Sequence, residues 1–422
     1  MGMESMFQAV LNLPHVRVIE ATKSDRGEWT LRVESTRSSA RCKRCGGEAT
    51  QFHSLGHRIR LRHLPIFNQP VYIEIRPKRY RCTSCEGGPT TTQQVDWYDE
   101  RSPNTKAYDA WLLLSLVNST VADTARKLSV TEEVVEGALD RQMSTEVTWS
   151  EYERLDLLGI DEIALRKGHK SYVTLVTMPL EEGGLAVLAV LKGRSKETLE
   201  AFFDTMPKPL LESITRVCVD MNEGYISAVK AKVPGAEIIV DRFHVAKQYR
   251  EAADTVRKSE LKRLKKELGD EEYAELKGAM WPFRKKPEDL EPDERDVLER
   301  VFEKSEKLRT VYELREALTS IFERELSKSG AKCALRAWIK RVRESGLSCF
   351  DRFIGTLEKR LDEITNYFTQ RETSGFVEGF NNKVKVLKRR CYGIYNLGRL
   401  FQRLTLDLEG YRLFGREAHH NI

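Results

Sequence analysis

Three acids stand where they could share a cation. Asp161 lies in GIDEIALRKG, near the end of an apolar run, and Asp220 ends the run in RVCVDMNEGY. An aspartate closing an apolar strand emerges at the sheet edge where α/β folds bind ligands. Two such carboxylates side by side repel, and one keeps a proton unless a cation joins them. A divalent ion removes that conflict, makes a nucleophile of water or a 3′-hydroxyl, and stabilises the leaving oxygen. Hard oxygen donors favour Mg²⁺ or Mn²⁺. Holding two ions needs a third acid, and Glu378, in TSGFVEGFNNKVKVLKRRCYG, is the candidate. Thr373 or Ser374 can cap a helix starting there, on which Glu378, Asn382, Lys385 and Arg389 share a face. A carboxylate followed by cations suits a metal beside a phosphodiester backbone. Each acid taken alone reads as solvated surface charge; the set and its order carry the argument. Asp241, in DRFH, also follows a strand and competes with Asp220. Asp220 is preferred because its strand should lie beside that of Asp161, leaving Asp241 and His244 to support the site or contact DNA.

The second constellation is Cys42-Lys-Arg-Cys45 with Cys82-Thr-Ser-Cys85. Each pair forms a knuckle, and four thiolates complete a closed tetrahedral zinc site of the structural kind. The gap between them is long, but two hairpins can fill it. The plainer reading is two unrelated thiol pairs. His53, His57 and His63 lie between the knuckles and could substitute, yet four cysteines already complete the shell. Arg41 to Arg81 is rich in arginine and lysine, including Arg79 and Arg81, and such a cluster attracts phosphates. A solvated basic face is the alternative. Tyr72 and Tyr80 fit a small core better than a base stack.

The elements that position these groups follow from pattern. Short strands at Trp29–Val33 and Val71–Ile75 surround the cysteines. From Ser102 the chain reads as helices, and Val121 to Val134 fits a helix-turn-helix, with Ala125 at the close approach and Ser129 at the turn. Glu132 and Glu133 open its second helix and would repel phosphates, so a packing or oligomerising role competes with DNA contact. Strands at Leu157–Ile163, Tyr172–Thr177, Leu185–Leu191, Thr215–Asp220 and Ile238–Val240 alternate with helices at Lys196–Asp204 and Gly224–Lys232. A charged helical stretch follows, in which Leu261, Leu264 and Leu268 recur at helical spacing. The last segment, from about Phe376, is helical and basic. Trp281 reads as a core residue, with stacking on DNA as the alternative.

At 422 residues, several domains are required. The expected division is a zinc-binding module over 1–98, a helix-turn-helix over 99–150, and an α/β core over 151–245 and 366–422 interrupted by helices over 246–365. The formal charge of +6 is too small to announce nucleic-acid binding by itself. No apolar run approaches the roughly 20 residues of a membrane span, and the first residues lack a signal peptide's pattern. A cytoplasmic protein without membrane contact is expected, with its eight cysteines reduced.

The two knuckles, the helix-turn-helix, DEIALRKGHKSYVTLV, VDMNEGYISAVKAKVPGAEIIVDRFHV and GFVEGFNNKVKVLKRRCYGIYN occur in one order over nearly the whole chain. In this the sequence resembles the DDE transposases of bacterial insertion sequences of the ISL-three type. The resemblance implies a multidomain α/β protein with an RNase H-like mixed-sheet core and a helical insertion. It implies that Asp161, Asp220 and Glu378 are the metal triad, with two Mg²⁺ or Mn²⁺ ions per site. Terminal inverted repeats and target DNA are the implied partners, met at the nucleoid. Two ends must be held together, so at least a dimer on DNA is expected. The alternatives are a transposase-derived zinc-dependent DNA-binding regulator and an RNase H-like nuclease.

Overall fold

The computed structural model describes residues 3–11, 13–166, 171–181, 183–371 and 375–415; the side chains of residues 166, 370 and 375–378 are outside that description. The chain divides into two compact units. One comprises Met1–Ser144 together with the residues from Leu406 on, and the other is Thr145–Thr405.

The first unit begins with alternating strands. Val16–Lys23, Trp29–Ser35, Gln69–Ile75 and Ile59–Ile66 make a four-stranded sheet. The period-two pattern of these strands puts Val18, Leu31, Val33, Leu61, Val71, Ile73 and Ile75 into one apolar cluster. The pairing also accounts for the distance between the cysteine knuckles. Gln51–Leu55 pairs with Lys78–Arg81, and inside that pair Ile59–Ile66 folds back on Gln69–Ile75. Three helices follow, Lys106–Leu116, Val121–Leu128 and Glu132–Gln142. Thr105 and Thr120 cap the first two by accepting from backbone N–H groups. Ala125 is buried where the helices meet, and Ser129 turns the chain in the left-handed region. Leu406 joins this helical core.

The second unit is built on a five-stranded mixed sheet. Leu157–Arg166, Ser171–Pro179 and Leu185–Lys192 form an antiparallel meander. Arg216–Val219 then pairs parallel with the first of these, and Glu237–Val240 pairs parallel with Arg216–Val219. Each parallel crossover carries helix, chiefly Lys196–Asp204 and Glu223–Lys232. The first strand runs past the Ile163 boundary suggested by the sequence, to Arg166, because its pairing with Ser171–Pro179 continues to Arg166 opposite Ser171.

From Arg242 to Gln370 the described chain is helical or in turns, and its core is continuous with that of the sheet. The long helix Arg242–Glu267 buries Val245, Tyr249, Ala253, Val256 and Leu264, a stripe at helical spacing. Trp281 departs from expectation: it is 61% exposed. Its neighbours Pro282 and Phe283 take the core position instead. Two helices close the unit, Gly375–Arg390 and the first half of Leu397–Phe414. No described helix is long and apolar enough to cross a membrane.

Candidate active site and zinc site

Strand register assembles the acids. The parallel ladder ends with Ile160 opposite Val219 and Val219 opposite Val240. The next residue on each strand is an aspartate: Asp161, Asp220 and Asp241. Adjacent strands stand about 4.8 Å apart, so Asp161 and Asp220 are nearest neighbours and Asp241 is one strand farther out. Asp220 starts a turn, its Oδ1 accepting from the Asn222 N–H at 2.8 Å. Asp241 caps the long helix, accepting from the Phe243 N–H through Oδ1 at 2.9 Å. Its Oδ2 meets the Nδ1 of His244, also at 2.9 Å. That bond brings the imidazole back across the row. Ligand atoms of Asp161, Asp220 and His244 all lie within 4.8 Å of one another.

The charges in this cluster are unbalanced. Burial pushes the Asp220 carboxyl up to about 6, against the lowering effect of the Asn222 N–H and His244. Burial also raises Asp161, although the Glu162 N–H, His244 and Asn381 work the other way. Burial alone would lower His244, but its bond to Asp241 and the nearby carboxylates hold it above the usual value. Burial thus disfavours the charged form of both aspartates, and a cation bound between them would favour it. Oxygen donors from two aspartates, with an imidazole beside them, fit a hard divalent cation.

Asp161 is held from two sides. The Glu162 N–H donates to its Oδ1 at 2.7 Å, and the Asn381 amide donates to its Oδ2. The Oδ1 of Asn381 is buried and has no hydrogen-bond partner among the described residues. Asn381 sits on the Gly375–Arg390 helix, three residues past Glu378. The backbone of Glu378 lies in that helix; its side chain is outside the described residues. Asn382, Lys385 and Arg389 are exposed, whereas Lys388 is half-buried and donates to the Ala164 carbonyl. Asn381 and Lys388 lie off the face that the sequence suggests. The signal for them is the buried stripe Phe380, Val384, Leu387, which turns their side of the helix toward the sheet.

A cleft of about 690 Å³ opens beside Asp220 and His244. Glu162, Arg194, Lys247 and Arg352 are on its walls. Arg194 pairs with Glu162 at 3.1 Å and lies over the Tyr172 ring. Lys247 and Arg352 are exposed and have no ion-pair partner among the described residues, which leaves their charge for an anion.

In the other unit the four cysteines meet. Cys42 and Cys85 sulfurs are 4.0 Å apart, and Cys45 and Cys82 sulfurs 3.7 Å. A tetrahedron of Zn–S bonds near 2.3 Å has edges of about 3.8 Å, so the arrangement fits zinc. Gly46, at φ 73, lets the first knuckle close with its N–H on the Cys42 carbonyl. Backbone N–H groups of Cys45 and Arg44 lower the Cys42 thiol, while the neighbouring thiols and burial raise Cys85. His63 is not spare for metal: it is buried against the Thr105 hydroxyl at 2.9 Å, and burial lowers it to about 4. His53 and His57 are exposed. Of the basic residues, Arg62 caps a helix by donating to the Leu128 and Ser129 carbonyls. Arg79 is half-buried on the Thr90 hydroxyl at 2.8 Å, and Arg81 is exposed.

Known proteins match the chain over both regions. Residues 158–404 match a family model described as a transposase. Residues 38–85 match the zinc finger of the IS204/IS1001/IS1096/IS1165 transposases. The chain is 28% identical over 395 residues to the transposase for insertion sequence element IS1001 of Bordetella parapertussis, covering 92% of this chain and 95% of that one. It is 26% identical over 449 residues to the transposase for insertion sequence element IS1557 of Mycobacterium tuberculosis (strain ATCC 25618 / H37Rv), covering 99% and 98%. The chain therefore belongs to the ISL-three family of DDE transposases, enzymes that cut DNA with the help of a divalent metal.

Proposed function

We infer that this transposase cuts and joins DNA at the edge of the five-stranded sheet, with Asp161, Asp220 and Glu378 holding Mg²⁺ or Mn²⁺, two ions per site. The observation that carries this is the register: two acids one step beyond the last parallel pair, on adjacent strands, with burial raising the Asp220 carboxyl to about 6. An antiparallel meander followed by two parallel strands supports an RNase H-like core, with residues 246–365 as its insertion. Both oxygens of Asp241 are engaged, by the helix cap and by His244. That favours Asp220 over Asp241 as the second acid.

The bound ions would activate the attacking water or 3′-hydroxyl and neutralise charge on the leaving oxygen. The chain's own groups do the rest. Asn381 and the Glu162 N–H fix the orientation of Asp161, so little reorganisation remains when substrate arrives. Asp241 holds His244 beside the pair, where a proton can be kept or given up at Nε2. Lys247 and Arg352 bind the phosphates that lead into the cleft. The zinc module and the three helices over 106–142 recognise the terminal inverted repeats, the latter as a helix-turn-helix, and two chains hold two ends.

Purified protein on a duplex from the element's end tests this. Cleavage should need Mg²⁺ or Mn²⁺ and leave a free 3′-hydroxyl that then joins target DNA. Cleavage in EDTA, or protein covalently attached to the cut end, would contradict it.

A further inference from the structure

The Gly375–Arg390 helix runs along the first core strand, Asn381 donating to Asp161 and Lys388 to the Ala164 carbonyl. Seven helical residues advance about 10 Å, and three strand residues advance about 10 Å. The two therefore run side by side in the same sense, away from the carboxylates. On the exposed side of the helix, Asn382, Lys385 and Arg389 form a row at i, i+3 and i+7. Lys385 and Arg389 have no ion-pair partner among the described residues.

The row ends on an unusual residue. Tyr392 closes the helix at φ 52, and it is 95% exposed. The Tyr392 N–H reaches the Arg389 carbonyl at 3.2 Å, and the Gly393 N–H reaches that of Lys388 at 2.9 Å. A left-handed position at a helix end suits glycine or asparagine; a bulky side chain there is disfavoured. Neither the backbone nor the solvent gains from a tyrosine here. The loop is also fixed. Gly393 has φ 102, and a Cβ on it would lie 2.8 Å from the Tyr395 hydroxyl, so the Tyr395 side chain packs over the glycine. Residues held in sparsely populated backbone regions cluster at functional sites, and here one stands at the end of a cationic row.

We propose that Tyr392 is a base-stacking subsite for the DNA strand that leaves the cut, with Lys385 and Arg389 holding the phosphates between. This rests on the carboxylate cluster being the cutting site. From Asn381 to the helix end at Arg390 the chain covers about 14 Å, and the turn to Tyr392 brings the reach to about 16 Å. At 3.4 Å per nucleotide on one B-DNA strand, that is about five nucleotides, and fewer if the strand is splayed. Stacking on a ring accepts any base, so the subsite grips flanking DNA without reading it.

The test uses full-length protein in EDTA, which keeps the DNA intact. The probe is an end duplex with a single-stranded flank carrying 2-aminopurine at successive positions beyond the cut. Stacking should quench fluorescence most at one position two to five nucleotides out. Tyr392→Asn should abolish that quenching and weaken binding of the flank by about 5- to 100-fold. Its melting temperature should be no lower than wild type, because asparagine tolerates the left-handed backbone. Tyr392→Phe should keep the quenching. The same quenching in Tyr392→Asn would overturn the proposal, as would equal loss in Tyr392→Phe. So would a change in self-association without DNA while flank binding stays intact, which would make the ring a contact between copies. Failure of the underlying reading shows separately, as an Asp220→Asn variant that still cuts.

Discussion

Replacing Asp220 by asparagine should stabilise the metal-free protein at pH 8 while destroying its activity. In the folded chain this carboxyl is raised from 3.8 to about 6, first by burial. A carboxyl with a higher pKa folded than unfolded binds more protons in the folded state between those values. Folded stability therefore falls as pH rises from about 4 to about 6, and the cost persists above that. Two units at 1.36 kcal/mol each give an upper bound of about 3 kcal/mol. The side chain is half-buried, and solvent screening brings the expected range to about 1–3 kcal/mol. For a unit of this size, that corresponds to about 3–8 °C in melting temperature. Asparagine keeps an oxygen for the Asn222 N–H, so the turn survives. The assay is thermal unfolding of wild type and Asp220→Asn in EDTA at pH 4 and pH 8. The gain should appear at pH 8 and vanish at pH 4. Mg²⁺ should then stabilise wild type by about 2.7 kcal/mol at a hundred times its dissociation constant, and the variant far less. A variant that melts at or below wild type at pH 8 in EDTA would refute the reasoning, because the carboxylate would then not be a strained, cation-seeking group.

Further outcomes follow from the same geometry. Purified chain should carry one zinc, and Cys82→Ser should lose it and unfold the module around the knuckles while the sheet of the second unit stays folded; metal analysis and limited proteolysis check this. Asn381→Ala should slow cleavage about 10- to 100-fold without altering binding to an end duplex, since it frees Asp161 on one side; unchanged single-turnover rates would count against a positioning role. Arg81→Gln should lower the slope of log affinity against log salt by about one, and Arg79→Gln by less, because Arg79 is already engaged with Thr90. Equal slopes for wild type and Arg81→Gln would assign Arg81 to a solvated face.

The carboxylate pair was legible because strand order alone makes the strands ending at Asp161 and Asp220 adjacent. The cysteine site was legible from spacing, even though its long gap hid a hairpin belonging to a different sheet. What the sequence left ambiguous has physical causes. Helical spacing accepts both i+3 and i+4, so the face drawn from Glu378 through Asn382, Lys385 and Arg389 lies one residue from the one that meets the strand, which carries Asn381 and Lys388. The apolar stripe Phe380, Val384, Leu387 would have separated the two. Trp281 reads as core in the sequence, yet the adjacent Pro282 and Phe283 take the buried positions. The sequence leaves His244 between supporting the site and contacting DNA, because its reach depends on the helix that Asp241 caps. That Leu406 packs with the helices near residue 112 is a contact across nearly three hundred residues, which no local pattern records.

The most direct test of the central claim is a cleavage assay on one end duplex with Asp161→Asn, Asp220→Asn, Glu378→Gln and Asp241→Asn in parallel, each first shown to bind that duplex as wild type does. The first three changes each remove one negative ligand, and each should abolish cutting and joining. Combining two should add little, because the acids act as a unit. Asp241→Asn should cut more slowly but measurably, since it loses only the hold on His244. An Asp220→Asn protein that cuts beside a dead Asp241→Asn protein would contradict the assignment and move the second acid one strand outward.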